Sequence, residues 1–99
     1  MSDLRDNKPP AKLVGDRLGG CFGEAEMEIA VRKIVCLAVE QGTWRVVLSE
    51  DDFSPVGYAR DGFLNLIEHC WLIKGEGETY TVEPDLIKRL MRKRPEAFK

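Results

Sequence analysis

The sequence predicts an α+β fold, a helical bundle carrying a small antiparallel β-hairpin or three-stranded sheet. Three observations carry this expectation. Apolar residues recur in steps of three and four at Met27, Ala30, Val31, Ile34, Val35, Ala38 and Val39, the period of an amphipathic helix. A second helical pattern over residues 58–70 runs directly into two β-rich segments, Trp71-Leu72-Ile73-Lys74 and Thr79-Tyr80-Thr81-Val82, parted by the turn Gly75-Glu76-Gly77-Glu78. A third apolar stripe follows Pro84.

The first helix opens at Glu24-Ala25-Glu26-Met27-Glu28, where carboxylates complement the positive helix N-terminus. It runs for about four turns and closes at Gln41-Gly42, since glycine is preferred just past a helix end. Thr43-Trp44-Arg45-Val46-Val47-Leu48 is rich in β-branched and aromatic residues and reads as the first strand. Ser49 precedes Glu50-Asp51-Asp52 in the Ser-x-x-Asp spacing of a helix cap, so a short second helix is expected there. Ser54-Pro55-Val56-Gly57 reads as a turn, because proline fixes its own φ and biases the residue before it away from helix.

In the third helix Phe63, Leu64, Leu66, Ile67 and Cys70 form the apolar face, while Arg60, Asp61, Asn65, Glu68 and His69 mark the other side. Asp61-Gly62 offers an alternative start one turn later. The hairpin strands are too short to stand alone and must pack on the helices. Pro84-Asp85 opens the last helix, whose buried stripe is Leu86, Ile87, Leu90 and Met91 and which Pro95 ends.

Ninety-nine residues, 43% hydrophobic and 32% charged, suffice for one domain with a true core. That domain is expected over residues 24–99, after a flexible N-terminal arm over residues 1–23 broken by Pro9-Pro10, Gly15, Gly19, Gly20 and Gly23. The longest apolar run, Ile34-Val35-Cys36-Leu37-Ala38-Val39, falls far short of the roughly 20 residues of a membrane span. With no apolar leader at the N-terminus, a cytoplasmic location and no membrane partner are expected. The cysteines lack Cys-x-x-Cys spacing: Cys36 and Cys70 lie in apolar periodic segments and read as reduced core residues, Cys21 as a spectator in the arm. Gly19-Gly20-Cys21-Phe22-Gly23 lacks both the preceding strand and the following Gly-Lys-Ser/Thr of a phosphate loop.

From Lys88 onward the chain carries Lys88, Arg89, Arg92, Lys93, Arg94 and Lys99 against a single Glu96, so the remainder is acidic. Such a tail can neutralise phosphates, but the favoured reading is that it complements a helix dipole and keeps a small domain solvated. His69 is the only histidine, and Cys70 beside it points about 100° away on a helix. No catalytic constellation, metal site or cofactor is expected, and Glu50, Asp51 and Asp52 read as capping residues. Trp44 stands open between a core role and an interface role.

The order helix, strand, helix, helix, hairpin, helix over residues 24–94 resembles the winged-helix superfamily, a variant of the helix-turn-helix. Its most specific piece is Phe63-Leu64-Asn65-Leu66-Ile67-Glu68-His69-Cys70-Trp71-Leu72-Ile73 followed by Tyr80-Thr81-Val82, a third helix running into a wing. The resemblance implies duplex DNA recognition with that helix in the major groove and the wing on the backbone. It would place Tyr58, Arg60, Asn65 and His69 on the bases and Lys74 and Thr79 on the backbone, with Arg92, Lys93 and Arg94 adding phosphate contacts. Glu76 and Glu78 at the wing tip oppose that use. The same resemblance also implies adaptor and dimerisation modules. A non-enzymatic protein-interaction domain with Trp44 as its candidate contact is therefore placed ahead of a DNA-binding transcriptional regulator, and a homodimer is admitted.

Overall fold

In the computed structural model, which describes residues 4–6, 8–9, 21–53 and 57–95, the apolar period of the first helix has a helical partner. Helix α1 (Ala25–Gln41) buries Met27, Ala30, Val31, Ile34, Val35 and Ala38 and packs along α2 (Tyr58–Glu68). The two helices come close together at Gly62. A Cβ built there would stand 1.8 Å from the Glu26 carbonyl oxygen, so the crossing requires a residue without a side chain. Gly62 therefore lies inside α2, and the helix begins at the earlier of the two starts that the sequence admits.

Strands β1 (Val47–Leu48), β2 (Leu72–Lys74) and β3 (Tyr80–Val82) form an antiparallel sheet in the order β1-β3-β2. Val47 pairs with Thr81, and Thr81 with Ile73, so this row shares one face of the sheet. It is the outer face, with Val47 62% and Ile73 37% exposed, whereas Leu48, Leu72 and Val82 are buried on the other. The first strand is shorter than the six residues its composition suggests. Its partner β3 ends at Val82, opposite Val46, and Glu83 already caps α3 (Pro84–Lys93), so residues 43–45 have no ladder to join. The inward alternation persists without it, since Trp44, Val46 and Leu48 are all fully buried.

The expected second helix is a single 3₁₀ turn, Glu50–Phe53. Its start uses the carboxylate half of the cap, with the Ser49 N–H donating to Asp52 Oδ2 at 2.8 Å. Residues 54–56 of the expected turn lie outside the described residues, as do residues 1–3, 7 and 10–20 of the expected arm.

Helix α2 ends one residue pair earlier than its apolar pattern suggests, in a Schellman arrangement. Trp71 N–H donates to Leu66 O at 2.9 Å and Cys70 N–H to Ile67 O at 3.1 Å. This puts Cys70 at φ 64°, a left-handed conformation that costs a residue with a Cβ about 1 kcal/mol. Cys70→Gly should therefore stabilise the fold by up to about 1 kcal/mol, read as a raised midpoint in urea. Gly42, at φ 72°, makes the same turn after α1 with no such cost.

The cysteines exchange their expected roles. Cys21 is fully buried and Phe22 nearly so, whereas Cys36 is half-buried and Cys70 exposed. Cys70 leaves the core because the left-handed turn swings it off the helical stripe. Cys21 and Phe22 enter it because the last helix holds them there. Arg89 Nε donates to the Cys21 carbonyl at 2.5 Å, and its guanidinium lies 5.5 Å from the Phe22 ring and 5.8 Å from the Trp71 ring. Phe22 meets Trp71 edge-on at 5.3 Å.

Burial pushes the Cys21 thiol up from its ordinary 9.0, against the opposing pull of Arg94 and with Glu28 adding to it. A thiol raised in the fold contributes stability that is full below the unfolded-chain value and lost as pH climbs toward the folded one. Stability should thus fall above about pH 9 more steeply in the native chain than in Cys21→Ala. Dithionitrobenzoate should label Cys70 first, Cys36 next and Cys21 only on unfolding.

Candidate functional site

Helix α2 and the β2–β3 hairpin stand against each other, and between them lies an open groove of about 220 Å³ lined by Glu50, Phe63, Leu64, Ile67, Lys74, Glu78 and Tyr80. Residues 60, 64 and 67 fall on one side of a helix of 3.6 residues per turn, which is the side turned to the hairpin. Its floor is aromatic and stacked. Phe63 lies 4.4 Å from Phe53 with the rings 18° from parallel, and Tyr80 meets Phe63 edge-on at 5.5 Å. Leu64 rises beside them and is 44% exposed.

The charges around this floor are already engaged. Glu50 Oε1 accepts from Nε of Arg60 and pairs with its Nη2, joining the 3₁₀ turn to α2. Lys74 Nζ donates to the Gly77 carbonyl at 2.8 Å and lies 5.1 Å from the centre of the Tyr80 ring. Thr79 Oγ1 donates to Glu76 O at 2.6 Å, and Gly75 N–H to Thr79 O at 2.8 Å, so the hairpin tip is tied by its own atoms. Glu76 and Glu78 are both exposed at that tip.

The residues expected to read DNA do not converge. Arg60 and Asn65 are five positions apart, about 140° around the helix. Arg60 is held by Glu50, a residue of the groove lining, while Asn65 reaches Glu24 Oε2 at the start of α1, 3.5 Å away. His69 is the exposed residue that caps α2, and the side chain of Tyr58 lies outside the described part. Trp44 is fully buried and belongs to the core, so it presents no surface to a partner. The inward alternation through Val46 and Leu48 accounts for its position.

Leu64, Ile67 and Tyr80 are the groove residues that sequence reasoning assigned elsewhere. A signal was present in Leu64, which stands beside Phe63 and widens the apolar arc of α2 beyond what one neighbouring helix covers.

The basic residues of the last helix lie outside this groove's lining. Lys88, Arg89 and Arg92 lie together on α3 around a second depression, of about 240 Å³, completed by Trp71 and Asp85. Arg92 and Lys93 are exposed in the last turn of α3, where they complement its dipole. Arg94 follows the helix, with Nη1 donating to Lys93 O at 3.0 Å. Among the described residues no three of His, Cys, Asp and Glu stand close enough to hold a metal ion, and no helix is long and apolar enough to cross a membrane.

Comparison of the chain with known protein families, curated proteins and solved structures gives no match.

Proposed function

We propose that this chain is a small non-enzymatic binding domain of winged-helix type that engages a protein partner, and that the groove between α2 and the hairpin is its contact surface. The observation that carries the reading is the groove's chemistry. Phe63, Leu64, Ile67 and Tyr80 offer an apolar floor, and the cations at its rim are spent on Glu50, Gly77 O and Tyr80. A DNA backbone needs cations aimed outward at phosphates. A partner that inserts one apolar side chain between helix and wing needs the floor that is there. The winged-helix part of the reading is supported by the strand order β1-β3-β2 and by a helix that passes through one tight turn into the hairpin.

Two measurements test the proposal. A photo-reactive residue at position 64 should form defined protein adducts in cells, lost when Ile67→Asp is added, while the same group at Lys33 on α1 should not. The absence of adducts at position 64 would reject the groove as a contact surface. An amide NMR titration with a generic DNA duplex should leave residues 60–67 and 74–80 unshifted. Salt-sensitive shifts there would replace the protein reading with the DNA-binding regulator.

A further inference from the structure

We propose that the face of α3 bearing Lys88, Arg89 and Arg92, with Trp71 beside it, is a second binding site, for the phosphodiester backbone of a nucleic acid. This surface is separate from the groove and does not depend on what the groove binds. Its central residue is Arg89. The Cys21 carbonyl accepts from Nε at 2.5 Å, and the guanidinium lies 5.5 Å from the Phe22 ring and 5.8 Å from the Trp71 ring. Its charge is thus fixed in place by a neutral acceptor and two rings, and no carboxylate among the described residues pairs with it. Holding a guanidinium in one pose removes much of the ordering entropy that a flexible surface cation must give up on binding.

Lys88 and Arg92, one helical turn apart and both exposed, flank the same depression. Neither has an ion-pair partner among the described residues. Asp85 stands at the other end of the depression, toward the N-terminus of α3, where the helix dipole favours it. Two exposed cations, with a third held half-buried beside them over a half-buried indole, form the combination by which proteins track a nucleic-acid strand, cations following the phosphates and an aromatic side chain meeting the bases. An acidic protein partner would use the cations but has no call on the indole. The chain as a whole carries a net charge of −2, so attraction to a polyanion must come from this local concentration of positive charge.

The test is fluorescence anisotropy of the full-length chain with a fluorescein-labelled single-stranded oligonucleotide, and separately with a duplex, from low to near-physiological salt. Binding is expected at low salt, weakening with a log–log slope of about −2 for three phosphate contacts on a single strand and somewhat steeper on a duplex. Lys88→Gln/Arg92→Gln should weaken it at least tenfold and flatten the slope by about 0.7 per contact removed on a single strand. Lys33→Gln, a charge lost from the exposed face of α1, should leave it within twofold. Trp71→Phe should weaken the single strand more than the duplex. The proposal is overturned if the chain binds neither nucleic acid at low salt, or if the double variant binds as well as the native chain. It is equally overturned if polyglutamate competes as effectively as the oligonucleotide, which would make the face a site for acidic proteins. The circular dichroism of each variant must match the native chain. Lys88 and Arg92 are exposed, so their replacement should not disturb the fold.

Discussion

Gly62→Ala should lower the stability of the fold by about 3 kcal/mol, although alanine is the better helix former by about 1 kcal/mol. The reversal comes from the crossing of α1 and α2. A Cβ at position 62 would sit 1.8 Å from the Glu26 carbonyl oxygen, 2.5 Å from its carbonyl carbon and 3.0 Å from Ala30 Cβ. The first two are backbone atoms and cannot rotate aside as a side chain would. The helices must move apart, and separating them opens gaps along the Ala30, Val31, Ile34 and Phe63, Leu66 contact layer. In a domain of this size 3 kcal/mol is a large share of a total of roughly 5–15 kcal/mol. Urea unfolding followed by circular dichroism should show a lower midpoint with the same slope. A midpoint equal to or above the native one would mean that the helices do not approach so closely at this position.

Phe63→Ala should be at least as damaging, at about 3–5 kcal/mol. Phe63 is 1% exposed and ties together three parts of the chain. It stacks on Phe53 of the 3₁₀ turn, belongs to α2, and takes the edge of Tyr80 from β3. Truncation removes its transfer energy and leaves a cavity that rigid neighbours fill poorly. Phe63→Leu, which retains most of the volume, should cost much less. Measured beside Phe53→Leu in a double-mutant cycle, it should reveal a coupling of about 0.5–1.5 kcal/mol from the stacked pair. Additive effects would show that the two rings do not interact beyond sharing a core.

The elements written in local rules were legible before the structure. The period of α1 and its terminal Gly42, the Pro84-Asp85 start of α3 and the hairpin around Gly75 and Gly77 each follow from a few neighbouring residues, and each is present. What escaped depends on partners distant in sequence. The shortening of β1 is decided by where β3 ends. Nothing near Cys21 announces its burial, because the residue that holds it is Arg89, 68 positions away. The exposure of Cys70 was masked by its helical spacing, which the left-handed turn interrupts. The groove was not anticipated: the element order required only that the hairpin pack on the helices, and an apolar floor between them depends on which arc of α2 is covered by α1. For the same reason Arg60 and Asn65 fell together in the reading of α2 and apart in space.

The link between Arg89 and the Cys21 carbonyl also has a temporal side. Every ribosome delivers this chain from its N-terminal end, so Phe22 emerges long before the guanidinium and the indole that shelter it. The central strand β3 likewise arrives after β1, the edge strand that must wait for it. The helical pair α1 and α2 can meet early, whereas the sheet closes only when β3 has been made, and the ring cluster around Arg89 only when α3 has followed it. Contacts this far apart in sequence are slow to form. The nascent chain therefore passes through an interval in which its first half is helical, its β1 edge is unpaired and Phe22 is uncovered, and that interval is the one in which a chaperone or an aggregating neighbour would find it.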